Sequence, residues 1–389
     1  MNLIQGIKSH FKLNGLLGTL SDRYLHSLLV KLTTIDNAFP NCTKIRPISP
    51  GKFPTPEVEQ MLFFPRAESL KKPTYSLPDI YSTTLDNVLY SPTYNVILNQ
   101  SRQVILDSVN TGKSAKRFSV SELYRKKIKT LKGVYSIFRS TDNSYYHTLI
   151  ENVSRLYLLN HKDYREIPEI QLLLSSKSTK IEEYYLDQML QDNVTIKVVE
   201  ENYIYSLEKL IFCTFLNRRF CGYLPLEYLE YFGDKILPQR SRDKNNRIFI
   251  SRSTDLKKIL EKTKGIGRYE QDKIGKGRYL LNEEELFQSL KKYGFKKHVL
   301  EELSIPEQIE LFYDADFIVG AHGAGLSNMI FSDRVKILEL FPTQFCVPHY
   351  YYLAKSLGHT YRYWCGQEDE IHSNFTVNVA EVISRLGDL

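Results

Sequence analysis

The stretch Asp316-Phe317-Ile318-Val319-Gly320-Ala321-His322-Gly323-Ala324-Gly325-Leu326-Ser327-Asn328-Met329-Ile330-Phe331 constrains the fold most. Phe317-Ile318-Val319 is a short β-branched and aromatic run ending in glycine, the pattern of a buried parallel strand. Gly320, Gly323 and Gly325 then predict a tight turn, and Ala324 to Phe331 the first turns of a helix packed close to that strand. Strand, glycine turn and helix start together make an anion cradle. Backbone N–H groups and the positive helix end point outward, and small residues let a phosphate approach. His322 is placed to donate to a phosphate oxygen, with Ser327 and Asn328 adding hydroxyl and amide donors. A plainer reading stands beside it: the glycines serve only close helix–strand packing, and His322 is a surface turn residue.

A chain of 389 residues suggests two domains of ordinary size, and 42% hydrophobic with 25% charged residues is the balance of a globular enzyme. A net charge of +7 suits phosphate-bearing ligands, an anionic membrane surface or nucleic acid. The basic residues are spread rather than gathered in one arm, which argues against nucleic acid. The five cysteines, Cys42, Cys213, Cys221, Cys346 and Cys365, are odd in number and lack CxxC spacing, against both a zinc site and a disulfide framework. With no secretion signal or membrane-spanning run, the expectation is a cytoplasmic protein, and triplets such as Asn41-Cys42-Thr43 read as chance glycosylation matches.

Along the chain, residues 1–35 read either as an arm packed on the body or as a peripheral membrane contact on anionic lipid. The prolines from Pro40 to Pro78 make an irregular connector. A small strand meander follows over residues 87–106, then a strand over Gly133–Phe138. A helix is expected to start near Asp142, Asn143 or Ser144, with His147, Glu151 and Arg155 sharing one face at i, i+4, i+8. His147 beside Glu151 is either an acid/base pair or an ordinary solvated face. From Ile170 a βαβ rhythm indicates a parallel sheet, and the polar run 239–246 is the expected lobe boundary. Beyond it, Arg247–Ser253 is a strand running into a polar loop, and Ser251 and Arg252 lie where open α/β sheets collect ligands. The basic, glycine-rich segment 264–279, with Arg278, reads as a loop over phosphates, and Asn282 as the cap of a helix beginning at Glu283. The organisation expected is an arm and connector over 1–76, a first lobe over 77–238, a second over 239–370 and a closing helix over 371–389.

Five blocks in order then carry a resemblance: Ser144-Tyr145-Tyr146-His147 with Glu151 and Arg155; Ile248-Phe249-Ile250-Ser251-Arg252; Arg278-Tyr279-Leu280-Leu281-Asn282-Glu283; Glu307-Gln308-Ile309; and His322-Gly323-Ala324-Gly325-Leu326-Ser327-Asn328. Over about residues 75–389 the chain resembles glycosyltransferase family 61, including its bacterial members of capsular polysaccharide biosynthesis. The resemblance implies an α/β, GT-B-like fold, with two Rossmann-like lobes whose parallel sheets face across a cleft. It also implies inverting sugar transfer from a nucleoside diphosphate sugar, UDP-linked, to a hydroxyl of a glycan or polysaccharide acceptor, with no further cofactor.

In that chemistry a leaving pyrophosphate has to be stabilised and an acceptor hydroxyl deprotonated. The one Asp-x-Asp triplet, Asp314-Ala315-Asp316, sits at a helix-to-strand junction and reads as the end of the helix, so no metal site is assigned. Charge stabilisation then falls to backbone donors with His322, Ser251, Arg252 and Arg278. The donor-binding set implied is Ser251, Arg252, Arg278, Asn282, Glu283, His322, Gly323, Ala324, Gly325, Leu326, Ser327, Asn328 and Glu339. Glu339 is either a ligand of ribose hydroxyls or a polar residue at a strand end. Glu151 or His147, from the opposite lobe, is the expected base, with Asp142 a weaker candidate. The alternative is an inactive nucleotide-sugar-binding or scaffold protein of polysaccharide assembly. A Rossmann oxidoreductase is disfavoured, because the G-x-G-x-x-G turn and its following acidic residue are missing.

Overall fold

The structure is a computed structural model describing residues 30–49, 52–54, 74–76, 78–110, 125–140, 144–217, 222–252, 279–342, 347–368 and 374–387. Asp142, Arg278 and nearly all of the expected N-terminal arm lie outside the described residues. The chain divides into two compact units. One comprises Met1–Ser49, Asp79–Asn143 and Glu151–Arg219; the other comprises Pro50–Pro78, Ser144–Ile150 and Phe220–Leu389.

The first unit holds a mixed sheet. Strands Lys127–Ile137, Ile170–Leu174, Val194–Val198 and Tyr203–Cys213 pair in parallel, as the βαβ rhythm predicts. The expected separate meander is instead continuous with them. Ser82–Ser91 pairs antiparallel with Tyr203–Cys213 and then with Val96–Leu98. This sheet is therefore not the parallel sheet of a Rossmann-like lobe. The reason lies in Ser82–Ser91, whose Leu85, Val88, Leu89 and Tyr90 are buried and so require a strand partner on the open edge of the parallel set.

Helix Lys180–Met189 is fixed at its start by a reciprocal cap between Thr179 and Glu182, and it buries Tyr185, Leu186 and Met189. Glu182 has a second task. Its carboxylate takes the Arg139 guanidinium in two bonds, Nε at 2.7 Å and Nη2 at 2.8 Å, with both side chains buried. Burial pushes the Glu182 carboxyl upward, but the hydrogen bonds and charge of Arg139 and the Thr179 amide outweigh it and hold the group below its usual range. Arg155 is also buried. Its Nε donates to the Cys213 carbonyl at 3.0 Å and its Nη1 to the Phe138 carbonyl at 3.2 Å, tying two neighbouring strand ends together. Burial lowers its pKa to about 10, so it remains a cation at neutral pH.

The expected shared face of His147, Glu151 and Arg155 is not formed. His147–Asn152 is wound as a π-helix and Val153–Arg155 as a 3₁₀ turn, so a 3.6-residue spacing does not carry through. The boundary between units falls inside this helix, after Ile150. Glu151 and Arg155 are each only 4% exposed, which also removes the reading of a solvated face.

The second unit is a doubly wound α/β sheet. Its strands run Phe295–Val299, Asn246–Ser251, Ala315–Ala321, Lys336–Pro342, Thr360–Glu368, all parallel, with Phe375–Thr376 antiparallel on the last edge. In chain order the five parallel strands are arranged 2-1-3-4-5. The order reverses between Asn246–Ser251 and Ala315–Ala321, and in such sheets ligands collect beyond the strand ends at that reversal. Phe249, Leu280, Leu286, Leu290, Phe317, Val319, Leu338 and Leu340 form the core on one side, closed by Val382 of helix Val379–Gly387. Among the described residues no helix is long and apolar enough to cross a membrane.

Glu182→Ala would leave the Arg139 guanidinium buried without its carboxylate, so it should cost about 3–5 kcal/mol of stability. Because the folded-state value of Glu182 is depressed, its contribution is complete above the ordinary carboxylate range and is lost as pH falls through the folded value. Urea unfolding of wild type and variant at neutral pH checks this, and a loss under about 1 kcal/mol would contradict the role given to the pair.

Candidate active site

The reversal point is lined by Ser251 and Arg252 at one strand end and by His322 to Gly325 at the other. Ser251 is 2% exposed, and its hydroxyl donates to Glu283 Oε1 at 2.7 Å, while the Arg252 amide donates to Glu283 Oε2 at 3.3 Å. Lys297 Nζ reaches the same carboxylate at 2.8 Å. Burial works against the Lys297 charge, but Glu283 and Glu284 prevail and its pKa is raised. Ser251 and Glu283 thus brace the backbone that carries Arg252. The Arg252 guanidinium donates through Nη1 to the His322 carbonyl at 2.7 Å, and burial lowers its pKa. One strand end grips the other through this bond.

The glycines are explained mostly by packing. A Cβ on Gly320 would come within 3.1 Å of Ile250 Cβ, and one on Gly325 within 2.8 Å of Leu300 Cδ1. At Gly323 a Cβ would meet the Arg252 guanidinium at 3.0 Å, so this glycine makes room for the arginine. The expected α-helix start is a 3₁₀ helix, Ala324–Phe331. Its first internal bond runs from the Leu326 amide to the Gly323 carbonyl at 3.0 Å, so the Ala324 and Gly325 amides precede the helical ladder. Ala324 and Gly325 are half-buried, whereas Leu326, Ser327 and Asn328 are buried.

Ser327 and Asn328 are therefore not the open donors expected of them. Both are 0% exposed. The Asn328 amide donates to Gln308 Oε1 at 2.8 Å and accepts the Tyr145 hydroxyl on its own oxygen. Gln308 in turn donates to the carbonyls of Leu300 and Leu303. Three separated sequence blocks meet in this one buried chain: the Tyr145 segment, the Gln308 helix and the turn after His322. Asn282 is also placed differently. It occupies the N-cap position but makes no capping bond, because its side chain pairs with the backbone of Val377 in both directions.

Glu339 lies inside a strand, fully buried, with Oε1 2.5 Å from His322 Nδ1 and Oε2 accepting the Tyr361 hydroxyl at 2.5 Å. That is the position of a partner for His322 rather than of a ligand for ribose hydroxyls. The His322 ring, 5% exposed, stacks on Phe341 with centroids 5.1 Å apart and has Tyr350 at 5.3 Å. From Tyr350 the rings continue through Tyr146 to His147. His147 therefore clusters with His322 in the second unit, whereas the sequence reading puts it in the first; Glu151 belongs to the first unit. Asp314 and Asp316 are engaged by arginines. Asp314 caps helix Ile305–Tyr313 and takes Arg240, and Asp316 takes Arg247. Among the described residues no three His, Cys, Asp or Glu side chains are grouped to hold a metal ion.

Sequence reasoning missed Tyr361, Tyr350, Gln308 and Lys297 as site-building residues. A signal existed for Tyr361. A carboxylate in the run Ile337-Leu338-Glu339-Leu340 demands buried partners, and the next strand supplies the hydroxyl.

Asn328→Ala should destabilise the protein by about 2–3 kcal/mol, since it strands Gln308 Oε1 without a donor, while Tyr145→Phe should cost only about 0.5–1.5 kcal/mol. Equal, near-zero losses in denaturant unfolding would contradict the buried chain.

Comparison with known proteins bears on this site directly. A stretch of 96 residues is 33% identical to a beta-1,2-xylosyltransferase of Arabidopsis thaliana, covering 21% of this chain and 18% of that protein. The family model for glycosyltransferase 61 matches residues 145–337, a span narrower than the resemblance expected over about residues 75–389. It runs from Tyr145 through Arg252 and the His322 turn and stops before Glu339. The chain carries a glycosyltransferase family 61 domain over residues 145–337.

Proposed function

We propose that the protein is a glycosyltransferase that moves a sugar, with inversion, from a nucleoside diphosphate donor to a hydroxyl of a glycan or polysaccharide. The observation that carries the reading is the Arg252–His322 clamp at the reversal point of the second sheet. There the Arg252 guanidinium, the His322 ring and the first amides of the 3₁₀ helix converge where a diphosphate's charge would develop on departure. The engagement of Asp314 and Asp316 by Arg240 and Arg247 supports a reaction in which these amides and cations, rather than a metal, neutralise the leaving group. The similarity to a xylosyltransferase favours a pentose as the transferred sugar, while uridine as the base rests on the sequence resemblance alone. A GT-B-like architecture belongs to the same proposal: the 2-1-3-4-5 order of the second sheet supports it, while the mixed sheet of the first unit departs from the Rossmann-like pattern. The proposal also includes a role in capsular polysaccharide assembly and a cytoplasmic setting, which rest on the sequence alone.

Deprotonation of the acceptor falls to Glu151 or His147. Glu151 is a buried carboxylate at the π-turn, while His147 is half-buried beside Tyr146. Removing the true base should lower turnover by about 10²–10⁴-fold. Glu151→Gln and His147→Ala, assayed for sugar transfer in folded protein, should therefore separate. Near-normal turnover in both would defeat the assignment.

For the donor, Arg252→Ala should weaken UDP binding by about 10–100-fold, as the loss of a charge-assisted contact predicts. His322→Ala should fall with it. Unchanged UDP affinity by calorimetry in both variants would overturn the diphosphate site.

A further inference from the structure

We propose that Glu339 and Tyr361 are positioning residues that keep His322 protonated on both ring nitrogens, so that its Nε2–H meets the diphosphate as a charged donor. The inference rests on the nucleotide-sugar reading above and deepens it.

Glu339 is the one charged residue within the apolar run Ile337–Pro342, and it has no solvent exposure. A carboxylate in such surroundings is costly unless it is paired and hydrogen-bonded. The two oxygens are met differently. Tyr361 gives Oε2 a hydroxyl, which brings a dipole and no net charge. His322 Nδ1 stands 2.5 Å from Oε1, close enough to set a positive charge against it. Arg252 spends Nη1 on the His322 carbonyl.

Which ring nitrogen holds a proton is set by the partner of the other. With Nδ1–H directed at Glu339, chemistry at this ring runs through Nε2. A neutral ring would then offer an acceptor there, which repels a phosphate oxygen; a doubly protonated ring offers a donor. An opposite charge in direct contact favours the charged form. Among the described residues, Tyr350 of helix His349–Ser356 lies against the ring, His349, Tyr146 and His147 follow it through further ring contacts, and Tyr363 packs on Phe341, with Tyr361 on the same strand. Phe341 lies flat on the ring and holds its plane, an arrangement that also favours a cation.

A competing arrangement has the proton on Glu339, which then donates to Nδ1 of a neutral ring. Glu339→Gln mimics that state, because a carboxamide donates in the same place without charge. The two arrangements therefore predict opposite outcomes.

The test uses the full chain with ¹⁵N-labelled histidine, and UDP as probe, across roughly pH 5 to 9, the span in which histidine titrates. In wild type, long-range ¹H–¹⁵N spectra should show His322 carrying two protons at neutral pH, and UDP affinity should fall as that ring deprotonates. In Glu339→Gln the fall should move down by at least about one pH unit, with UDP bound about tenfold more weakly at neutral pH. Tyr361→Phe keeps the shape of the side chain and should give a smaller shift in the same direction, so it reads the relay even if the glutamine variant folds poorly. A singly protonated His322 in wild type, or an unchanged pH profile in folded Glu339→Gln, would overturn the proposal. If wild type binds no UDP at any pH, the nucleotide-sugar reading falls, and the ring spectra still decide the state of His322.

Discussion

Everything at the candidate site depends on one turn being held from two sides. Arg252 takes the carbonyl of His322, and Glu339 takes its ring. The first bond joins the strands on either side of the sheet's reversal; the second reaches a neighbouring strand and, through Tyr361, the one beyond. A turn fixed in this way needs little rearrangement to present its amides and cations, which is what makes preorganised charge effective against a leaving diphosphate. Gly323 is part of the same device, since any side chain there would displace the Arg252 guanidinium.

Buried polar groups recur as the joints of both units. Arg155 ties two strand ends in the first unit and Arg139 anchors a helix start. In the second unit Tyr145, Asn328 and Gln308 connect a segment, a turn and a helix that lie far apart in sequence. These groups account for blocks that look like ligand contacts when met as sequence. The pattern is a general hazard: a Ser-Asn pair after a glycine turn can serve a phosphate or the core, and burial decides which.

Much of the fold was legible in the residues. Strand Ile170–Leu174 falls where the βαβ rhythm starts, and the strand–turn–helix at the centre is present. The misses have physical causes. The strand expected over Gly133–Phe138 begins earlier, at Lys127, because its first half is mostly exposed and carries no apolar run; pairing with Tyr203–Leu207 makes it a strand. The π-wound turn at His147–Asn152 has no signature in periodicity, so the expected face of His147, Glu151 and Arg155 dissolves. Of the site, Arg252 and His322 were visible as residue types at strand ends. The roles of Glu339 and Ser327 were not, since both follow from burial and from register across strands.

The most direct test is a crystal structure of the protein with UDP. The account predicts the two phosphates lying against Arg252, the His322 ring and the Ala324–Gly325 amides, at the ends of strands Asn246–Ser251 and Ala315–Ala321. A diphosphate bound elsewhere, with this turn still closed by the Arg252–His322 bond and out of contact with it, would contradict it.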